Sequence, residues 1–186
     1  MILFFAGLTV LSCKDEPKDT PNTSEATQNS QETTPIAVTS EKSEVKNPAS
    51  EQILADYMAL KNALVDTDEK AAAAAGEQLE NTLKSFKVEN YTDEQQSKIK
   101  DLVASATSHA NQIATSDMEQ QRAQFQKLND DITAMVSITG TENTLYQQFC
   151  PMYGEGGAWL STEKNIRNPY FGSKMMKCGE VQKEIR

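Results

Sequence analysis

The segment FCPMYGEGGAW, Phe149 to Trp159, sets a cysteine two residues before a methionine, and KMMKCGE, Lys174 to Glu180, repeats that sulfur chemistry in reverse order. Thiolate and thioether sulfurs are soft donors. Cys150, Cys178, Met152 and one of Met175 or Met176 therefore suit copper(I) far better than magnesium or calcium. Adjacent methionines cannot both point at one centre, and Met176 is the preferred ligand of the two. His109, the single histidine, falls close to the helical stripe of Ala106, Ala110 and Ile113. It adds an imidazole if that face meets the tail, and is otherwise a neutral core histidine. A Cys150–Cys178 disulfide is the rival reading: it closes a loop of nearly thirty residues, stabilises the tail by roughly 3 kcal/mol and removes both thiolates.

These sulfurs need a scaffold, and the sequence between Pro48 and Gly140 supplies helical periodicity. Ile53, Leu54, Tyr57, Leu60 and Leu64 lie on one stripe, with Ser50 expected to cap it. Asp66, Thr67 or Asp68 can cap a second helix that carries Leu79, Leu83 and Phe86. The alanine run Ala71 to Ala75 favours helix and allows a neighbouring helix to approach closely. Thr92 and Gln95 stand at capping-box spacing before the stripe Ile99, Leu102, Val103, Ala106, Ala110 and Ile113, and Ser116 and Glu119 repeat that spacing before Phe125, Leu128, Ile132, Met135 and Val136. Gly140 is the expected stop. The expected fold class is all-α, an up-down four-helix bundle with an irregular C-terminal segment packed on it. In that segment TLYQQFC reads as a strand or a last helical turn, NPYFG as a turn, and Trp159, Tyr170 and Phe171 as core anchors.

Composition narrows the function. The chain of 186 residues has a net charge of -9 and a pI near 4.7, which excludes the basic surface that nucleic acid requires. The helical region carries fifteen acidic against eight basic residues and the tail five against six, so the tail is electrostatically suited to dock on the helices. With one histidine there is no convincing Ser-His-Asp constellation and no Cys-His pair close in sequence, and HExxH and GxxxxGK motifs are absent. No enzyme is expected.

MILFFAGLTVLS, residues 1–12, runs uncharged into Cys13, and VLSC resembles the bacterial lipoprotein signal in which such a cysteine is lipidated. Residues 13–47, rich in Ser, Thr, Pro, Glu and Gln, read as a disordered acidic tether, and 48–186 as the folded domain. The expected location is the cell envelope, lipid-anchored to the outer membrane at its periplasmic or cell-surface face.

FCPMYGEGGAWLS and NIRNPYFGSKMMKCGEV, together with YMALKNALVDTDEKAAAAA and SHANQIATSDMEQQRAQF, resemble the bacterial family catalogued as domain of unknown function three-three-four-seven. The resemblance covers most of Pro48 to Ile185. It implies heavy-metal business, because such domains occur in lipoproteins and at the C-terminus of periplasmic adaptors of heavy-metal efflux pumps, and such an adaptor becomes an expected partner. The CPM core resembles the adaptors' short metal motif, in which a histidine follows the methionine. Tyr153 stands there in this chain. The expected function is thus an exported lipoprotein that binds or transfers copper(I), with Cys150, Met152, Met176, Cys178 and His109 as ligands. The alternative is a structural or interaction lipoprotein stapled by a disulfide.

Overall fold

The computed structural model describes residues 47–186. The expected signal segment, Cys13 and the tether through residue 46 lie outside the described residues. Four helices come first: α1 (Pro48–Asp66), α2 (Glu69–Lys84), α3 (Asp93–Ala114) and α4 (Met118–Thr139). Three strands follow, β1 (Leu145–Cys150), β2 (Gly157–Ser161) and β3 (Glu180–Ile185), with a 3-10 turn at Gly172–Lys174 before the last. Among the described residues no helix is long and apolar enough to cross a membrane.

Local chemistry sets the helix ends. Asn47, expected to belong to the tether, caps α1 by accepting from Ala49 N at 3.0 Å, and Pro48 fills the first position, where no N–H is needed. Ser50 is not the cap: it sits inside the first turn and donates to the Asn47 carbonyl at 2.7 Å. Thr67, left-handed at φ 58°, turns the chain, and Asp68 caps α2 by accepting from Ala71 N. The Thr92–Gln95 capping box forms as expected. At α4 the cap is Asp117, one residue past the expected Ser116, and it accepts from Gln120 N at 3.0 Å. A carboxylate there also gains from the positive end of the helix dipole, which a serine does not. Gly140 ends α4 with φ 72°.

Each helix packs chiefly on the next in sequence. The approach of α2 to α3 is close: a Cβ on Gly76 would stand 3.0 Å from the Ile113 side chain and 3.1 Å from the Ala110 carbonyl oxygen. The apolar stripes form one core, in which Tyr57, Leu60, Leu64, Leu79, Leu83, Ile99, Ile113, Phe125 and Leu128 are fully buried. Helix α1 is buried on an unusually wide face because α2, α4 and the tail all flank it. That enclosure traps two charged side chains. Asp56 is satisfied by Thr82 and Gln52, whereas burial pushes Lys61 down to about 8, helped by the neighbouring Arg167 charge.

The tail departs from the expectation of an irregular segment: it folds into a three-stranded antiparallel sheet in the order β2-β1-β3. The β1–β2 register is regular, pairing Gln148 with Trp159 and Cys150 with Gly157. The β1–β3 register shifts by a bulge at Gln147/Gln148. The sheet is fastened to the helices through Tyr57. Its hydroxyl accepts from Leu160 N at 3.0 Å and donates to Asn129 Oδ1 at 2.8 Å, which joins α1, α4 and β2 at one buried point. Around it Tyr57 stacks on Phe125 at 5.3 Å, Phe125 meets Tyr170 at 5.8 Å, and Tyr170 meets Trp159 edge-on at 6.0 Å. Trp159 and Tyr170 are thus the core anchors expected, and Phe171 is half-buried beside them.

Two outcomes follow. Tyr57→Phe strands the Leu160 N–H and the Asn129 amide, so chemical denaturation should show a loss of about 1–3 kcal/mol for each group left unsatisfied. Lys61 has a folded pKa below its unfolded value, so the fold binds fewer protons and gains stability as pH rises through roughly 8–10. Lys61→Met, a near-isosteric change, should therefore stabilise the protein at pH 7 by up to about 3 kcal/mol, with the gain fading above pH 10 in the same denaturation assay.

Candidate functional site

Strand pairing carries the two cysteines to one place. Phe149 pairs with Glu180, so Cys150 at the end of β1 lies beside the residues that lead into β3. The last of these is Gly179. A Cβ there would stand 2.8 Å from the Phe149 carbonyl oxygen and 2.9 Å from the Trp159 ring, and its φ of 136° is open to glycine alone. The CG pair of the sequence is thus explained: only glycine lets the chain pass close enough to deliver Cys178 to Cys150. Gly157, opposite Cys150, is equally constrained, since a Cβ would stand 2.6 Å from the Tyr170 ring.

Asn168 holds the other side. It is fully buried, its amide nitrogen Nδ2 donates to the Cys178 carbonyl at 2.9 Å, and its backbone N–H donates to the Met176 carbonyl at 2.8 Å. Its Oδ1 accepts from Tyr170 N and Phe171 N. One side chain therefore ties the NPYFG turn to the segment that carries Cys178. Sequence reading took NPYFG for a turn and missed this clasp. The signal was available, because an asparagine ahead of Pro-aromatic residues can satisfy backbone donors two and three positions on.

Both cysteines are free thiols, Cys150 buried and Cys178 half-buried. They are close enough to influence each other. The Cys178 thiol is pushed above its ordinary pKa, first by its hydrogen bond with Cys150, then by desolvation, then by the charge of a Cys150 thiolate. Buried Trp159 pairs across from Gln148 on the same strand face as Cys150, and its indole N–H has no hydrogen-bond partner.

The remaining expected ligands scatter. Met152 lies in the turn after β1 with 62% of its surface exposed, and Met176 is half-buried two residues before Cys178. His109 faces α4. Its Nδ1 is 2.9 Å from Gln124 Oε1 and its Nε2 is 3.9 Å from Asp131 Oδ2. Burial raises the Asp131 carboxyl pKa, while a hydrogen bond from Ser105 and the His109 charge oppose the rise. The stripe of Ala106, Ala110 and Ile113 is buried as expected, but His109 belongs to the joint between α3 and α4. Among the described residues no three His, Cys, Asp or Glu side chains are grouped to hold a metal ion. What the structure brings together is a dithiol.

Residues 53–144 match the family model described as "Protein of unknown function (DUF3347)". That span takes in the helices from early α1 onward and ends just before β1. No curated protein and no solved structure matches the chain.

Thiol reactivity checks this proximity directly. Iodoacetamide should modify Cys178 before Cys150, with a pH midpoint above that of an ordinary cysteine. Cys150→Ala removes the first and third causes of the raised pKa, so that midpoint should fall. An unchanged midpoint in this variant contradicts it.

Proposed function

Residues 53–144 belong to the DUF3347 family of proteins of unknown function, and from that footing we propose that the chain is an exported lipoprotein that binds or hands over copper(I) in the cell envelope. The observation that carries this reading is that strand pairing brings two free thiols near each other, one buried and one half-exposed. Two sulfur donors without a third charged or imidazole ligand do not complete the tetrahedral set of structural zinc, and they are too soft for magnesium or calcium. A soft monovalent ion fits, because two thiolates suffice for it.

In this reading Cys150 and Cys178 are the ligands, and each loses a proton as the metal enters. Met176 and Met152, each two residues from a cysteine, act as outer donors. His109 is left out, since Gln124 of α4 engages its Nδ1 at 2.9 Å and Asp131, also on α4, stands 3.9 Å from its Nε2. The half-exposed Cys178 is where an incoming ligand of a partner, such as a heavy-metal efflux adaptor, exchanges for a protein ligand. The scaffold is the up-down-up-down arrangement of the four helices. Cys13 carries the lipid that anchors the chain to the outer membrane.

A second reading has its own support in the same proximity. Two adjacent thiols can pass two electrons and two protons to an exchanging disulfide, such as oxidised glutathione, and become a Cys150–Cys178 bond that staples β1 to the segment before β3. The protein then serves a structural or interaction role, and oxidation raises its stability by roughly 3 kcal/mol.

Copper(I) titration of the reduced protein against a chromophoric chelator, without air, separates the two. The metal reading expects one copper(I) per chain, abolished by Cys150→Ser and by Cys178→Ser and retained by His109→Ala. Apparent affinity should rise with pH, because two protons leave and the Cys178 pKa is raised. Thiols that stay fully reactive in the presence of copper(I) overturn it.

A further inference from the structure

A cleft of about 420 Å³ opens where α1 ends, α4 begins and the Tyr170–Lys174 segment crosses them. Its apolar wall is Met118, Tyr153, Tyr170 and Phe171, and its polar groups include Arg122 and Lys174. Arg122 is immobilised. Its Nε donates to the Pro169 carbonyl at 3.0 Å, and one terminal nitrogen donates to the Leu64 carbonyl and to Thr67 Oγ1. The other terminal nitrogen has no partner among the described residues.

Every one of those partners is neutral. Arg122 takes part in no ion pair with a described carboxylate, and neither does Lys174. Arg122 is half-buried, and a guanidinium partly withdrawn from water gains from an anionic partner, which a chain of net charge -9 offers in plenty. Glu119 lines the same cleft yet does not pair with it. Gly172 keeps the arrangement tight: with φ +54° it packs where a Cβ would stand 2.7 Å from an Arg122 terminal nitrogen. The nearest aromatic layer is ordered as well, with Tyr153 stacked on Tyr170 at 4.4 Å and edge-on to Phe171 at 5.9 Å.

From this geometry we infer that the cleft binds a small organic carboxylate with an apolar or aromatic body, its carboxylate on Arg122 and Lys174 and its body against Tyr153 and Phe171. A guanidinium already held by three hydrogen bonds loses little freedom when an anion arrives, and mixed aromatic and polar lining is the usual make-up of such pockets. Neither cysteine lines this cleft.

Isotope-labelled protein titrated with 3-phenylpropionate, followed by two-dimensional NMR, tests the inference. Saturable shifts should cluster at Met118, Tyr153, Phe171 and Lys174, and the neutral analogue 3-phenylpropionamide should bind at least about tenfold more weakly. Lys174→Gln, at an exposed position, should weaken the carboxylate without changing the amide. The Cys150→Ser/Cys178→Ser protein should bind as the parent does, which keeps this outcome apart from that of the copper titration. Shifts that never saturate, an amide that binds equally well, or inorganic phosphate that binds as tightly as 3-phenylpropionate would each overturn the assignment.

Discussion

One buried hydroxyl joins the two halves of the fold. Tyr57 Oη receives the Leu160 N–H and gives its own proton to Asn129, so α1, α4 and β2 share a single polar point inside an apolar core. Burial raises the phenol pKa far above its ordinary value, which keeps the proton in place across the physiological range. A hydrogen bond in such surroundings contributes modestly to net stability, but an unmade one is expensive. The geometry is therefore selected more by the cost of its absence than by the gain of its presence.

From that point the arrangement of the tail follows. Leu160 fixes β2, β2 fixes β1 by a regular antiparallel register, and β1 ends in Cys150. The return of the chain to Cys150 depends on Gly179, which admits the close pass beside Phe149 and Trp159, and on Asn168, whose side chain holds the Cys178 carbonyl. Position is thus delivered through backbone pairing, while chemistry rests on two sulfur atoms. Under the proposed reading this division lets a small domain present a soft-metal site without a dedicated cage, and the half-exposed Cys178 leaves a route for exchange.

The helices were legible because their period is local. Tyr57, Phe125, Leu128 and Ile132 are buried where the stripes put them, and the capping box at Thr92 and Gln95 stands as written. Caps slipped where two acceptors compete: Asn47 displaced Ser50, and Asp117 displaced Ser116. The sheet was less visible. β3 is exposed at five of its six positions and charged at three, so it lacks the inward alternation that announces a strand. Its identity comes from pairing with β1 across a long connection, which no local window contains. His109 illustrates a related limit, since one residue on a helix advances about 100° around the axis and proximity to a buried stripe does not say which neighbour it faces. The sulfur chemistry was readable from residue type alone, whereas the convergence of Cys150 and Cys178 required the fold. Arg122 gave no signal at all, because an arginine in an acidic helix reads as a surface charge until its partners prove to be carbonyls.

X-ray absorption at the copper edge of the copper(I)-loaded, reduced protein tests most directly whether the tail, docked through Tyr57, presents a soft-metal site built on the cysteine pair. The account predicts a first shell of sulfur only, with two short copper–sulfur contacts and no imidazole scattering. A nitrogen-dominated shell, or a spectrum unchanged when Cys150 and Cys178 are both replaced by serine, would contradict it.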